Sequence, residues 1–134
     1  MKTVSRIEIV REIYSNFASG NIPAVLERLH PKVHWRIVGP ENYPFFGTFI
    51  GREGFEQFLV GLTDAAEITR FEPLEFIDGG KVVVVRGDED ARVKRNGVAY
   101  STEWCHVFKI ENEYVVSFEE YLDSATLVEA FDRT

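Results

Sequence analysis

Cysteine and long apolar runs are both scarce in this sequence. Cys105 is the only cysteine among 134 residues, which excludes an intrachain disulfide and a metal site built from several cysteines. No stretch approaches the roughly 20 consecutive apolar residues of a membrane span. Residues 1–14 lack the continuous apolar core of a signal peptide. These absences predict a protein of a reducing compartment such as the cytoplasm, with no membrane partner.

Positive charge is also in short supply. Fifteen Lys and Arg stand against 22 Asp and Glu, giving a net charge of −7, and the basic residues form no long block. Such a charge argues against nucleic acid as a partner. There is no glycine-rich phosphate loop, and His30, His34 and His106 lack the spacing of metal ligands. We therefore expect no cofactor and no metal.

The sequence does contain enough apolar residues for a core. Hydrophobic residues make up 45% of the chain, which at this length predicts one folded domain spanning residues 1–134. Helical spacing of apolar residues predicts a first helix over residues 4–18 and a third from Gly51 to about Thr63. Between them, Asn21 is predicted to cap a short second helix.

Strands are predicted for much of the remainder. Alternation predicts a short strand from Val33 to Val38, followed by an aromatic-rich loop over residues 39–50. The aromatic side chains of this loop either pack on the core or form a lid over an apolar pocket. From about Ala66 onward, turn signals separate four antiparallel strands, the last two forming a hairpin over residues 100–123, and a short helix follows. This order is typical of an α+β protein with helices on one face of a curved sheet.

The strand predicted from Lys81 to Arg95 places one acid on an otherwise apolar face. Glu89 alternates in phase with valines and small residues, while the residues beside it form the polar face. A bulge would reverse this assignment. The dipeptide Asn96-Gly97 then predicts a tight two-residue hairpin turn.

Two more polar residues interrupt the apolar faces of the last hairpin. His106 is in phase with the apolar residues of the first strand and Glu120 with those of the second. If Ile110 and Tyr114 flank the turn, His106 faces Phe118 and is a diagonal neighbour of Glu120, roughly 7–8 Å away at Cα. An imidazole and a carboxyl on one apolar wall indicate a proton-transfer site. The inward set on the second strand is predicted to be Tyr114, Val116, Phe118, Glu120 and Leu122.

In their order along the chain, five segments resemble the SnoaL-like proteins. These belong to the nuclear transport factor 2-like superfamily, with the ketosteroid isomerases. The resemblance spans nearly the whole chain. It implies a cone-shaped barrel of a curved, mostly antiparallel sheet, covered by three N-terminal helices and followed by a short C-terminal helix. The segments are Gly20-Asn21, Leu29-His30-Pro31-Lys32-Val33-His34-Trp35, Phe46-Gly47-Thr48-Phe49-Ile50-Gly51-Arg52-Glu53-Gly54, Trp104-Cys105-His106-Val107-Phe108 and Glu120-Tyr121-Leu122-Asp123.

The resemblance implies a small, largely apolar organic ligand in a deep pocket, and a homodimer formed through the outer face of the sheet. The superfamily contains isomerases, polyketide cyclases, epoxide hydrolases, dehydratases and non-catalytic binding modules. If this chain is an enzyme, cofactor-free acid/base catalysis of the cyclase, isomerase or hydrolase type is implied. The alternative is a non-catalytic ligand-binding or dimerisation module of the same fold.

The functional residues of ketosteroid isomerases transfer only in part. His106 falls where those enzymes keep a protonated acid that donates to an oxyanion. The isomerase base falls near Ile37, which cannot take a proton. The isomerase tyrosine falls nearest Ile13, with Tyr14 one residue away. The resemblance therefore does not favour steroid isomerisation.

Limonene epoxide hydrolases use two carboxyls bridged by an arginine. Glu120 matches one acid and Glu89 the second, while the arginine falls near Gly87, with Arg86 adjacent. The cyclases use a pocket acid as general acid/base, a role open to Glu120 or His106.

We predict a catalytic set of His106, Glu120 and Glu89, with Glu120 as acid or base and His106 as polariser of a substrate oxygen. The predicted ligand-binding residues are Tyr14, Phe17, Trp35, Phe46, Phe58, Trp104 and Phe118.

Overall fold

In the computed structural model, which describes residues 4–134, four helices accompany a six-stranded sheet. The strands lie in the order β2-β1-β6-β5-β4-β3, and all neighbours are antiparallel except β1 and β6. The sheet is curved and open, with β2 and β3 at its edges, and the predicted α+β class is confirmed. The elements are α1 (Arg6–Ala18), α2 (Ile22–Arg28), β1 (Leu29–Ile37), β2 (Gly47–Ile50), α3 (Gly51–Ala65), β3 (Ala66–Asp78), β4 (Val82–Val93), β5 (Ala99–Glu111), β6 (Tyr114–Leu122) and α4 (Ser124–Asp132).

Local capping sets the starts of the first two helices. The Ser5 side chain accepts a hydrogen bond from the backbone N–H of Glu8 at the start of α1, and Asn21 does the same for Ala24 at the start of α2. Between the two helices, Gly20 adopts φ +77°, a conformation that carries no steric penalty for glycine. The chain can therefore turn sharply and lay α1 and α2 side by side. In residues 4–134 none of the helices is both long and apolar enough to cross a membrane.

Several predicted segment boundaries are wrong, and the first of them is the start of β1, which lies at Leu29 rather than Val33. The stretch 39–50 is not all loop, because its last four residues form β2, which is too short to give a clear alternation signal. β4 ends at Val93 rather than Arg95, and the next strand is reached through a longer loop that contains Asn96-Gly97. A 2.8 Å hydrogen bond from the Val93 N–H to the Val98 carbonyl closes this loop.

The hairpin of β5 and β6 has a different register from the predicted one. Glu111 pairs with Tyr114, so Asn112 and Glu113 form a two-residue turn with φ 50° and 65°. Val116, predicted to face inward, is instead the extra residue of a bulge in β6. The shorter turn and the bulge each shift the pairing by one residue.

This shift places His106 directly opposite Glu120 instead of diagonal to it. The predicted pairing of His106 with Phe118 is therefore wrong. The bulge also reverses the facing of the residues before it, so Val115 is fully buried and Tyr114, predicted to face inward, is exposed. From Phe118 onward the predicted inward set holds, because the alternation resumes after the bulge.

β4 keeps the predicted alternation along its whole length, with Glu89 on the buried face. The same face includes Gly87, where a Cβ would overlap both the Trp104 ring and the Glu72 carbonyl oxygen. No side chain fits there, so the arginine that epoxide hydrolases place near this position has no counterpart. The adjacent Arg86 faces outward and forms an ion pair on the outer sheet face.

Candidate functional site

The inner face of the sheet and the helices enclose an apolar cavity. Its volume is about 80 Å³. Within the described part of the chain no lysine or arginine lines it, whereas Glu89, His106 and Glu120 do. The three predicted catalytic residues are therefore brought together in one partly open cavity.

Six of the seven predicted ligand-binding residues line this cavity, and the exception is Trp104. Its indole stacks on the His106 imidazole, with ring centroids 3.9 Å apart and planes 14° apart. Trp104 therefore packs against one face of the imidazole. Phe46 reaches the cavity from the aromatic-rich loop and is buried together with Phe45. The loop thus packs on the core and covers the cavity at once. Contact of these side chains with a ligand stays a prediction.

Tyr14, His106 and Glu120 form a continuous hydrogen-bonded chain in the cavity wall. Tyr14 Oη lies 2.6 Å from His106 Nδ1, and His106 Nε2 lies 2.6 Å from Glu120 Oε2. Burial, and then the negative charge of Glu120, raise the pKa of the Tyr14 hydroxyl. Tyr14 therefore keeps its proton at any physiological pH.

The proton of the imidazole is assigned to Nε2 from this hydrogen-bond network. If Tyr14 accepted from Nδ1, its own buried hydroxyl hydrogen would have no acceptor among residues 4–134. With Tyr14 donating to Nδ1, His106 donates from Nε2 to Glu120 Oε2, and each of these groups is satisfied. Both ring nitrogens are then engaged, so the oxygen of the chain left for a ligand is Glu120 Oε1.

Glu89 is a second acid in the same cavity, and only 7% of its surface is exposed. Burial is the main reason why its pKa rises to about 8, followed by the negative charges of Glu120 and Asp90. At neutral pH Glu89 is therefore a neutral carboxylic acid that can donate a hydrogen bond. The two acids differ in environment, since the Glu120 carboxyl accepts a hydrogen bond from His106 and the Glu89 carboxyl is hydrogen-bonded to no residue between 4 and 134.

Tyr100 is a cavity residue that the sequence reasoning missed. It lies in β5, is 7% exposed and lines the cavity. It pairs with Ala91, which makes it a diagonal neighbour of Glu89 on the same face. Burial, followed by the charges of Glu89 and Glu120, raises the pKa of its hydroxyl. The sequence pattern could have predicted this position, because Tyr100 alternates in phase with His106 along the strand and so lies on the same face.

In residues 4–134 no three His, Cys, Asp or Glu side chains are arranged so that they could hold a metal ion. Cys105 is half-buried and lies on the opposite side of β5 from His106. The expectation of a cofactor-free protein stays a prediction.

The sequence and the fold both identify the family. Residues 10–118 match the model of the SnoaL-like domain, and the chain belongs to this family, as its resemblance to SnoaL-like proteins predicted. None of the curated proteins matches the sequence.

Solved structures agree with this assignment. An NTF2-like protein of unknown function from Burkholderia pseudomallei is 30% identical and superposes with a TM-score of 0.86, over 97% of this chain and 100% of that one. An NTF2-like protein from Burkholderia xenovorans is 26% identical, with a TM-score of 0.85 over 94% and 95% of the two chains. TerC, co-crystallised with polyporic acid, is 26% identical, with a TM-score of 0.83 over 95% and 98%.

Proposed function

We propose that this SnoaL-like protein binds a small, largely apolar organic molecule in its cavity and catalyses a cofactor-free proton transfer on it, of the isomerase, cyclase or hydrolase type. The observation that supports this most strongly is the chain Tyr14–His106–Glu120 in the wall of an apolar cavity. Glu120 Oε1 is bonded to no side chain of residues 4–134, so it is available to a ligand. The co-crystal of TerC with polyporic acid supports an organic ligand for a protein of this fold.

In this proposal Glu120 is the base and acts through Oε1. A C–H bond next to a ligand carbonyl breaks, its proton moves to Oε1, and its electron pair delocalises onto the carbonyl oxygen. His106 then acts through Glu120 rather than on the ligand, because both of its ring nitrogens are already bonded. Tyr14 holds the imidazole in the tautomer that donates to Glu120. In this proposal His106 is a positioning residue, whereas the sequence alone favoured it as the polariser of a substrate oxygen.

Exchange of the α-protons of 1-indanone in D2O tests this role. We expect the wild-type protein to accelerate the exchange, and Glu120→Gln to lower the rate by about 10²-fold or more while binding 1-indanone almost unchanged, because general-base catalysis contributes about that factor. Proton NMR of the ketone measures both exchange and binding. Glu119→Gln, on the outer face of the same strand, is the matched control and should exchange like wild type. Equal rates for Glu120→Gln and wild type would remove Glu120 from the site.

A non-catalytic binding module is the second candidate. It is favoured by Ile37, an apolar residue at the position of the isomerase base, and by Gly87, where no arginine side chain can be placed. The same experiment separates the two candidates. Binding of 1-indanone without faster exchange, in wild type and in Glu120→Gln alike, would favour the binding module.

We also propose a homodimer formed through the outer face of the sheet. Leu74 and Tyr121 are exposed there and border the same groove, and burying such side chains favours association. Sedimentation should give a dimer at micromolar concentration, and Leu74→Glu should shift it to monomer. Val60→Glu, an equally exposed apolar position on α3, should leave the dimer intact. A wild-type monomer at that concentration would contradict the proposal.

A further inference from the structure

Besides the unpartnered Trp35 indole N–H, the hydrogen-bonded chain leaves two polar side chains of the cavity without a role. Glu89 and Tyr100 are both more than nine-tenths buried and line the cavity. In residues 4–134 neither side chain takes part in a hydrogen bond. Their oxygen atoms are not among the side-chain atoms of residues 4–134 that are both cut off from solvent and without a partner, so they can be reached from the cavity. A ligand in the cavity can therefore bond to them.

The two side chains lie at a different part of the cavity from the proton-transfer chain. Tyr100 and Glu89 are diagonal neighbours on β5 and β4, while His106 lies further along β5, opposite Glu120. The side chains nevertheless converge on one cavity, where the charge of Glu120 acts on both Glu89 and Tyr100. A ligand can therefore contact both groups with different atoms.

We propose that Glu89 and Tyr100 form a donor pair that binds a carbonyl or hydroxyl oxygen of an uncharged, mostly apolar ligand. The inference rests on the proposed function and specifies its substrate class. A neutral carboxylic acid and a phenol each offer one O–H. Because no lysine or arginine in the described residues lines the cavity, the charge of a carboxylate or phosphate would have no partner there.

The surroundings of Glu89 determine when the pair can donate. Glu120, Tyr100, His106 and Tyr14 share its cavity, and all four are groups that can hold or share a proton. With burial as the main cause, the pKa of Glu89 is raised to about 8. At pH 7 both members of the pair carry a proton, and well above pH 8 Glu89 becomes an acceptor and repels a carbonyl oxygen.

Three ligands with one ring system separate these contributions. Indane offers no polar atom, 1-indanone adds a carbonyl oxygen, and indane-1-carboxylate adds a negative charge. At pH 7 we expect the wild-type protein to bind 1-indanone about tenfold or more tighter than indane, from two hydrogen bonds. The carboxylate should bind more weakly than indane. Isothermal titration calorimetry measures all three affinities.

Variants test whether Glu89 and Tyr100 carry this preference. Tyr100→Phe and Glu89→Met should each lower the ratio of the 1-indanone and indane affinities by several-fold and leave the affinity for indane nearly unchanged. Glu89→Gln keeps an N–H donor at every pH. It should therefore retain the preference at pH 9.5, where wild type loses most of it.

Each outcome decides for or against the pair. Equal affinities of wild type for indane and 1-indanone, or a preference that survives Tyr100→Phe together with Glu89→Met, would overturn it and leave the proposed function standing. Tighter binding of the carboxylate than of indane would overturn the assigned ligand class. Failure of indane and 1-indanone to bind at all would overturn the proposed function, and this inference with it.

Discussion

Glu89→Gln is expected to stabilise the protein against unfolding by roughly 4–5 kcal/mol at pH 9, and to leave its stability nearly unchanged at pH 4. The reason is that Glu89 is buried in an apolar wall near Glu120, which raises its pKa to about 8 from an ordinary value of 4.5. The free-energy equivalent of this difference is on the order of 4–5 kcal/mol. Gln has nearly the same shape and carries no charge at any pH.

The sign follows from proton binding. Between pH 4.5 and about 8 the folded protein holds the proton on Glu89, whereas the unfolded chain has lost it. The folded state binds more protons in this window, so the stability of wild type falls as pH rises through it. Below the window the carboxyl is neutral in both states, and above it the full penalty of the buried charge is present.

Urea unfolding of wild type and variant at a series of pH values measures this difference. Subtracting the two curves removes the contributions of the other titrating groups, including the three histidines. Glu103→Gln, the same chemical change at an exposed site on β5, should differ from wild type by no more than about 0.5 kcal/mol at every pH. Parallel curves for wild type and Glu89→Gln would show that Glu89 titrates normally.

His106→Ala is expected to lower the free energy of unfolding by about 3–5 kcal/mol. The imidazole is 4% exposed and bonded at both nitrogens, to Tyr14 and to Glu120. Removing one partner of a buried polar pair leaves the other unsatisfied, which is strongly destabilising. The missing ring also leaves a void against Trp104, which stacks on it. His34→Ala, an exposed histidine on β1, should change the stability by no more than about 0.5 kcal/mol.

A double-mutant cycle separates the polar pair from the void. If Glu120 is destabilised by the loss of its donor, His106→Ala combined with Glu120→Ala should cost less than the sum of the two single changes, by about 1–3 kcal/mol. Urea unfolding at pH 7 gives all three values. Additive effects would mean that the 2.6 Å contact between the two side chains contributes nothing to stability.

Alternation of apolar and polar residues was sufficient to predict which side chains face inward on β4 and β5. This pattern alone placed Glu89 and His106 on the buried face, and the same held for Glu120 beyond the bulge. The alternation of side chains depends only on the pleat of the strand. The face assigned to a residue can therefore be correct even when its predicted partner on the next strand is wrong. The same alternation should also have drawn attention to Tyr100.

The pairing of strands could not be predicted in the same way. The last hairpin turns at Asn112 and Glu113, both with positive φ, and nothing in a glutamate indicates that it will adopt this conformation. The bulge at Val116 has no sequence signal either. Both errors change which residue of β6 lies opposite His106. Register depends on contacts across the whole sheet, so the sequence of the hairpin alone does not determine it.

Glu89 lies with Glu120 in an apolar cavity that keeps it neutral at physiological pH. Carbon NMR of the glutamate side-chain carboxyls, followed as a function of pH, tests this directly. The Glu89 carboxyl carbon should titrate with a midpoint near 8, well separated from the exposed glutamates. A midpoint near 4.5, together with theirs, would place the Glu89 carboxyl in water and contradict its burial in the cavity.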